Sequence, residues 1–113
     1  MENCIFCKIV RKEIPAIIHF ESEDFIAFED ISAKAPVHLL LIPKKHITSV
    51  ATLADEDEEL AGKMILAARD IARKEGIEAS GYRIVSNSGP DAGQAVDHLH
   101  FHILGGAELG PIA

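Results

Sequence analysis

The chain has 113 residues, of which 48% are hydrophobic and 26% charged, and its formal net charge is −7. This length suits one domain with a small core, so we expect residues 1–113 to form a single domain. The acidic balance argues against nucleic-acid binding, and no apolar run approaches the length of a membrane span. Met1–Cys4 lacks the charged-then-apolar pattern of a signal peptide. These features predict a cytoplasmic protein that has neither nucleic acid nor membrane as a partner.

The N-terminal part of the chain predicts a short helix followed by three strands. Residues 4–13 mix apolar and basic side chains, which is typical of a short helix, and this helix must end before Pro15. Two β-rich runs, at residues 17–20 and 25–28, flank a short polar stretch and therefore predict a β-hairpin. The run Val37–Ile42 is apolar almost throughout, as expected of a central strand covered on both faces.

Residues 55–75 carry the clearest helical pattern of the sequence. Asp55 and Glu58 have the spacing of a capping box, and Gly76 suits the position that follows a last helical turn. Apolar side chains recur at helical spacing on one face of this segment. They are Leu60, Met64, Ala67 and Ile71. This face is predicted to pack on the rest of the fold.

The C-terminal segments complete the predicted fold. Residues 82–86 predict a further strand, and residues 87–95 a glycine-rich loop that leads into a last strand at residues 97–104. Several connections are too short for the crossovers that parallel strands require. The sequence therefore predicts an α+β fold with a five-stranded antiparallel sheet, one long helix and one short helix.

The last predicted strand carries three histidines in alternation with apolar residues. Side chains alternate across a strand, so His98, His100 and His102 share one face, and the other face enters the core. Neighbouring histidines would lie about 7 Å apart, close enough to converge on a ligand but too far apart for their rings to touch. An exposed strand can carry histidines without any function. Imidazole is nevertheless the side chain best suited to act as base, acid or nucleophile near neutral pH, and this favours a functional role for the three histidines.

The loop before this strand has the composition of an anion site. Its glycines allow backbone N–H groups to surround an anion, and Asn87 and Gln94 add neutral donors, although a plain turn would explain the same residues. No lysine of the P-loop type is present, so a P-loop is excluded. His38, within an apolar strand, is either a satisfied core residue or a partner that orients one of the three histidines or relays its proton.

Cys4 and Cys7 have the spacing that allows two sulfurs to bind one metal ion. Two further ligands are needed, and His46 and His98 are candidates. A structural zinc site is the favoured interpretation, while plain thiols and a redox pair stay open. A redox pair of the thioredoxin type normally follows a strand, and nothing in the sequence provides a strand before Cys4.

Several apolar residues suit either the core or the walls of a purine-sized pocket. They are Phe6, Ile9, Phe28 and Ile31. Asp30 lies among them at a strand end, where its carboxylate would accept hydrogen bonds from ribose hydroxyls or simply face solvent. The sequence alone leaves both alternatives open.

The segment His98–Leu104 resembles the His-φ-His-φ-His-φ-φ signature of the histidine triad (HIT) superfamily. Other stretches, in the same order as in the family and over nearly the whole chain, are similar to its nucleotide-binding, adenosine phosphoramidase-like branch. They are Cys4–Ile9, Phe28–Ser32, Ala35–His38, Leu41–His46 and Asn87–Gln94. The resemblance implies a small α+β fold whose five-stranded sheets pair in a homodimer. It also implies hydrolysis of purine nucleoside 5′-phosphoramidates, or of acyl-adenylates, at the α-phosphorus.

The resemblance further implies a role for each histidine of the row. His100 would be the nucleophile that forms a covalent nucleotidyl-histidine, and His102 would contact the phosphate. His98 would help order the site, with His38 behind it. The chemistry would need no metal, so any zinc would be structural. A non-catalytic sensor that binds adenine nucleotides is the alternative, and a metallohydrolase with the triad as zinc ligands is disfavoured.

Binding and metal residues also follow from the resemblance. The phosphate would be held by Asn87, Gly93 and Gln94, the ribose by Asp30, and the base by Ile5, Phe6, Ile9, Phe28 and Ile31. The zinc ligands would be Cys4, Cys7, His46 and His98. Two departures from the family pattern concern substrate range. Ala95, near the phosphate, replaces a frequent hydroxyl residue, and the tail Glu108–Ala113 lacks a tryptophan found in some relatives.

Overall fold

The computed structural model describes residues 3–112, so Met1 and Glu2 of the N-terminal stretch and Ala113 of the tail lie outside the described residues. The elements follow in chain order. They are α1 (Ile5–Val10), β1 (Ile18–Glu21), β2 (Phe25–Glu29), β3 (Val37–Pro43), α2 (Glu58–Lys74), β4 (Tyr82–Val85) and β5 (Phe101–Gly105). Single 3-10 turns occur at Val50–Thr52, Asp55–Asp57 and Pro90–Ala92. Within residues 3–112, no helix combines the length and the apolar character that crossing a membrane requires.

The strands form one five-stranded sheet in the order β1-β2-β3-β5-β4, and every neighbouring pair is antiparallel. This confirms the predicted fold class. The central position of β3 explains its apolar sequence, because all of its residues except Val37 are buried. β5 lies between β3 and β4, so the last strand of the chain is an inner strand of the sheet.

Alternation along β3 distributes its side chains between two apolar layers. Leu39 and Leu41 enter the layer under α2, whereas Leu40 and Ile42 enter the layer under α1. The predicted apolar face of α2 packs in the first layer, where Met64 and other side chains are buried. α1 covers the second layer only in part, since it has six residues. The open part of this layer is where the candidate site lies.

The beginning of α2 differs from the predicted capping box at Asp55 and Glu58. Asp57 lies at the N-cap of α2 without a side-chain hydrogen bond to that helix. Its buried carboxylate instead accepts hydrogen bonds from the backbone N–H of Ala54, which starts the preceding 3-10 turn, at 3.0 Å and from Lys45 Nζ at 2.7 Å. The 3-10 turn Asp55–Asp57 places this carboxylate next to the backbone N–H of Ala54. The other end is as predicted, since Gly76 has a φ of 76° and follows the last turn.

The last strand is shorter than the predicted strand over residues 97–104. β5 begins only at Phe101, and residues 97–100 run outside the ladder. Two hydrogen bonds explain this difference. The Leu99 N–H donates to the carbonyl oxygen of Ile47, and the His98 Nε2–H donates to the carbonyl oxygen of Pro43 at 2.8 Å. These tertiary bonds replace the strand pairing that the apolar alternation predicts.

Candidate active site

A cavity of about 840 Å³ opens on the α1 side of the sheet. All but one of the predicted nucleotide-binding residues line it, together with two of the histidines. The lining includes Ile5, Phe6, Ile9, Phe28, Asp30, Ile31, Asn87, Gly93, Ala95, His100 and His102. Most of the lining side chains are apolar, and Asp30, Asn87 and the two histidines add polar groups. This combination suits a ligand with one flat apolar part and one anionic part.

Gln94 is the predicted binding residue that does not line the cavity. Its Oε1 accepts a hydrogen bond from the Gly89 N–H at 2.8 Å. Its Nε2 donates to the carbonyl oxygens of Thr48 at 2.7 Å and Val96 at 3.0 Å. The Gln94 side chain therefore braces the loop rather than facing into the cavity. Gly89 and Gly93 both have positive φ values, which glycine adopts readily, and each makes one backbone hydrogen bond within this loop.

Seven further residues line the cavity and were not predicted from the sequence. They are Ile14, Pro15, Ala16, Ile17, Glu29, Leu40 and Val96. The segment 14–17 crosses the mouth of the cavity between α1 and β1. The sequence signal that could have identified this segment is Pro15, which follows the first helix and lies among the apolar residues Ile14, Ala16 and Ile17. The position of Leu40 on the cavity side follows from the alternation of side chains along β3, once β3 is known to be the central strand.

His98 turns away from the cavity. Its ring is fully buried, and because Nε2 donates its proton to the Pro43 carbonyl, Nδ1 carries the lone pair. This Nδ1 lies 3.3 Å from the sulfur of Cys4 and 3.5 Å from that of Cys7. Burial lowers the pKa of His98, so the ring is held in its neutral form.

The predicted metal ligands come together in space. The ligand atoms of Cys4, Cys7, His46 and His98 all lie within 4.8 Å of one another. Cys7 Sγ lies 3.2 Å from His46 Nδ1, and the other short sulfur–nitrogen distances are 3.3 and 3.5 Å. Tetrahedral zinc with ordinary bond lengths requires about 3.6 Å between a sulfur and a nitrogen ligand. The donor set and its spacing therefore fit zinc closely.

The Cys7 thiol is less acidic than an ordinary thiol, and this bears on metal binding. Burial raises its pKa to about 11, and the nearby Cys4 side chain adds to the effect. A buried thiol of this kind stays protonated at neutral pH unless a cation replaces its proton. Both cysteines are free thiols. The cluster is thus suited to exchanging thiol protons for a metal ion.

His100 has its orientation fixed by the backbone. Its Nδ1 lies 2.7 Å from the carbonyl oxygen of His98, so Nδ1 carries the proton and Nε2 carries a free lone pair. The Phe6 ring packs edge-on against the His100 ring, with centroids 5.2 Å apart. Ser86 Oγ donates to the His100 carbonyl oxygen at 2.9 Å and holds the backbone of this residue. His100 is therefore a buried, oriented imidazole that borders the cavity.

His102 and His38 form a hydrogen-bonded pair with a defined direction. The Lys34 N–H donates to His38 Nδ1 at 2.9 Å, so the proton of neutral His38 is on Nε2. Nε2 lies 2.9 Å from His102 Nδ1 and donates to it. His102 is left with its own proton on Nε2. Burial lowers the pKa of both imidazoles, which keeps this arrangement neutral.

The rings of His100 and His102 lie closer together than predicted. Their centroids are 5.2 Å apart and the planes meet at 64°, whereas a regular strand would separate the two side chains by about 7 Å. The prediction that these rings do not touch is therefore wrong. The reason is that His100 precedes β5, where the chain does not follow strand geometry.

The sequence matches the HIT domain family over residues 11–109, and the chain belongs to this family. The matched range begins after α1, so Cys4, Cys7 and the cavity wall formed by α1 lie outside it.

The similarity to known proteins extends over almost the whole chain. The chain is 45% identical over 111 residues to the purine nucleoside phosphoramidase of Escherichia coli strain K12, covering 98% of this chain and 93% of that protein. It is 49% identical over 105 residues to protein HitA of Neisseria gonorrhoeae, covering 93% of this chain and 97% of that protein.

Solved structures agree with these relationships. A HIT family hydrolase from Legionella pneumophila Philadelphia 1 is 45% identical and superposes with a TM-score of 0.93, covering 96% of both chains. A histidine triad protein from Clostridium difficile is 37% identical with a TM-score of 0.96, covering 100% of this chain and 98% of that one.

Proposed function

We propose that this chain is a phosphoramidase-type HIT hydrolase that cleaves purine nucleoside 5′-phosphoramidates at the α-phosphorus. Acyl-adenylates, which also carry a good leaving group on the α-phosphorus, are a second substrate class. The observation that carries the proposal is the free Nε2 lone pair of His100 beside a cavity that combines apolar walls with polar side chains. The name of the Escherichia coli relative, at 45% identity, supports the same reaction.

The lining of the cavity suggests how the substrate binds. The purine lies against the apolar side chains, among which Phe6 and Phe28 form one aromatic surface, since their rings pack edge to face at 5.4 Å. Ile31 is fully exposed at the mouth, so closure over a base would remove its side chain from water. Asp30 accepts the ribose hydroxyls. Asn87 and the backbone around Gly93 and Ala95 hold the phosphate.

The chemistry then proceeds in two displacement steps. His100 Nε2 attacks the α-phosphorus, a phosphorus–imidazole bond forms, and the phosphorus–amine bond breaks as the leaving amine takes up a proton from water. The Nδ1–H of His100 stays bonded to the His98 carbonyl, which supports the positive charge on the substituted ring. His102 donates its Nε2–H to a phosphate oxygen as negative charge develops. Water then attacks phosphorus, releases the nucleoside monophosphate and restores His100.

The metal in this proposal is a structural zinc ion held by Cys4, Cys7, His46 and His98. Bound zinc would tie the start of α1 to the segment before β5 and so stabilise the fold. A zinc hydrolase with the triad as ligands is disfavoured, because the lone pair of His98 faces the two sulfurs and not the cavity. None of the reaction steps needs the metal.

We further propose a homodimer in which a second copy covers α2 and β4. β4 is an edge strand, and Ile84 on it is 37% exposed. Ile65 and Leu66 of α2 are about half exposed as well. Exposed apolar side chains on a helix and on an edge strand are typical of a surface that pairs with another copy.

Turnover of adenosine 5′-phosphoramidate by the purified protein tests the proposal. Wild-type protein is expected to release adenosine monophosphate (AMP). His100→Ala is expected to abolish turnover while AMP affinity stays within about tenfold, because base, ribose and phosphate contacts remain. His19→Gln, which removes a histidine outside the cavity, serves as the matched control and should keep the wild-type rate. Tight AMP binding without turnover by wild-type protein would contradict the proposal and indicate a nucleotide-sensing module.

A further inference from the structure

The Gln94 side chain joins separate parts of the backbone through three hydrogen bonds. Its Nε2 donates to the carbonyl oxygens of Thr48 and Val96, while its Oε1 accepts the Gly89 N–H. A primary amide has two protons to donate, so both are used here. Gln94 thus connects the beginning and the end of the glycine-rich loop at residues 87–95 to the segment that follows β3.

The segment that binds Gln94 also binds the backbone just before the proposed nucleophile. The carbonyl oxygen of Ile47 accepts the Leu99 N–H at 2.6 Å, and Leu99 directly precedes His100. The next carbonyl oxygen along the chain, that of Thr48, accepts the proton of Gln94 Nε2 at 2.7 Å. Two adjacent residues therefore fix the position of the glycine-rich loop relative to the backbone of His100.

The two residues after Gln94 carry backbone donors that the fold does not use. The N–H groups of Gly93 and Gln94 donate to carbonyl oxygens within the loop. Those of Ala95 and Val96 donate to no backbone or side-chain acceptor among residues 3–112. Both residues line the cavity. Successive backbone N–H groups of this kind form anion-binding sites in loops, so these two suit a phosphate.

We propose that Gln94 is a positioning residue that acts through the backbone of Ala95 and Val96. This inference rests on the proposed phosphoramidase activity and adds to it a residue that touches no substrate. The bond to the Val96 carbonyl fixes the turn that follows Gln94, and the bond to Thr48 sets the distance from this turn to His100. The two N–H groups then donate to oxygens of the α-phosphate while His100 Nε2 attacks phosphorus. Donors that are already in place require no reorganisation as charge develops in the transition state.

Ligands with and without a phosphate distinguish this role from a general structural one. We would measure the affinities of wild-type protein and Gln94→Met for AMP and for adenosine by NMR titration. Methionine is similar in length but forms none of the three hydrogen bonds. AMP affinity is expected to fall about tenfold, because hydrogen bonds to a charged group are lost, while adenosine affinity changes by less than about twofold. Equal losses for the two ligands, or an unaltered AMP affinity, would overturn the inference.

Turnover of adenosine 5′-phosphoramidate tests whether the placement of these donors affects the reaction. The kcat of Gln94→Met should fall about 10², since a displacement of about 1 Å in a site has an effect of this size. If wild-type protein does not hydrolyse this substrate, the proposed function fails, yet the comparison of AMP with adenosine still decides the inference.

The matched control is Ser88→Ala. It removes a different hydrogen bond from the same loop, the one that Ser88 Oγ accepts from the Ala51 N–H at 3.2 Å. Its kcat and AMP affinity should stay within about twofold of the wild-type values, as for an ordinary surface substitution. Losses as large as those of Gln94→Met would show that any loosening of the loop has this effect, and would overturn the specific role of Gln94.

Amide NMR of wild-type protein provides a measurement that needs neither a variant nor turnover. AMP should move the amide proton resonances of Ala95 and Val96 downfield, because each N–H would donate to a phosphate oxygen. Adenosine, which has no phosphate, should leave both resonances in place. If AMP moves neither resonance, the donors that Gln94 is proposed to position do not bind phosphate and the inference is wrong.

Discussion

The carbonyl oxygen of His98 lies 2.7 Å from Nδ1 of His100. This bond joins two residues with different tasks, because the His98 ring belongs to the Cys/His cluster while the His100 ring borders the cavity. A carbonyl oxygen only accepts hydrogen bonds, so it determines which nitrogen of His100 carries the proton. The backbone next to the cluster therefore sets the lone pair that we propose as the nucleophile.

His102→Ala should lower kcat by about 10² to 10³, because the variant loses the proposed donor to the charge that develops on phosphate. AMP affinity should change by less than about tenfold, since the apolar walls and Asn87 remain. Steady-state kinetics with adenosine 5′-phosphoramidate and calorimetric titration with AMP measure the two quantities. An unchanged kcat would show that His102 does not stabilise the transition state.

Metal removal should weaken nucleotide binding as well as stability. α1 supplies Cys7 to the cluster and Phe6 to the cavity, and the Phe6 ring packs against both His98 and His100. Chelation should lower Tm by about 5 °C or more and weaken AMP affinity about fivefold.

Calorimetric AMP titration of the zinc-loaded and chelated protein measures this coupling. Protein with Cys4→Ser and Cys7→Ser together is the control, and the chelator should have no effect on it. Metal analysis near zero zinc per chain in protein purified without added zinc, with both thiols freely titratable, would rule out the site.

His19 should contribute stability that depends on pH. Its ring bonds to Glu29 at 2.7 Å and to Glu75 at 3.0 Å, and these bonds raise its pKa above 6.5, the ordinary value. The stabilisation is fully present below pH 6.5 and is lost as the pH rises through the higher folded-state pKa. His19→Gln should therefore lower Tm by about 3 °C at pH 6 and by less at pH 9. Equal losses at both pH values would mean that charge on His19 adds nothing.

Two isoleucines on opposite edges of the sheet test the proposed dimer. Ile84 on β4 is 37% exposed and Ile18 on β1 is 39% exposed, so they form a matched pair. Ile84→Glu should convert the protein to a monomer, because a second copy would bury the new charge. Ile18→Glu should leave a dimer. Sedimentation of wild-type protein as a single chain of 12.3 kDa at micromolar concentration would contradict the dimer itself.

Periodicity predicted the elements whose side chains follow one local rule. The continuous apolar run Val37–Ile42 and the helical spacing of apolar residues around Met64 both identified the correct type of element, since the burial of a strand on two faces and of a helix on one face dictates those patterns. Periodicity failed at residues 97–100, where bonds from Leu99 to Ile47 and from His98 to Pro43 override the alternation.

The sequence named His38 as a possible partner of the histidine row but did not predict which histidine it contacts. His38 and His102 are far apart in sequence, and only the antiparallel pairing of β3 with β5 brings their nitrogens to 2.9 Å. A single sequence contains no local signal for this pairing. Gln94 was a reasonable candidate by composition, but backbone groups of Gly89, Thr48 and Val96 take up its amide group.

The most direct test of the account is to locate the covalent intermediate. Protein mixed with adenosine 5′-phosphoramidate, quenched in base and digested, should give an acid-labile nucleotidyl adduct on His100 by mass spectrometry. His100→Ala should give neither adduct nor turnover. An adduct on another residue, or turnover by His100→Ala at the wild-type rate, would contradict the assignment of His100 as the nucleophile.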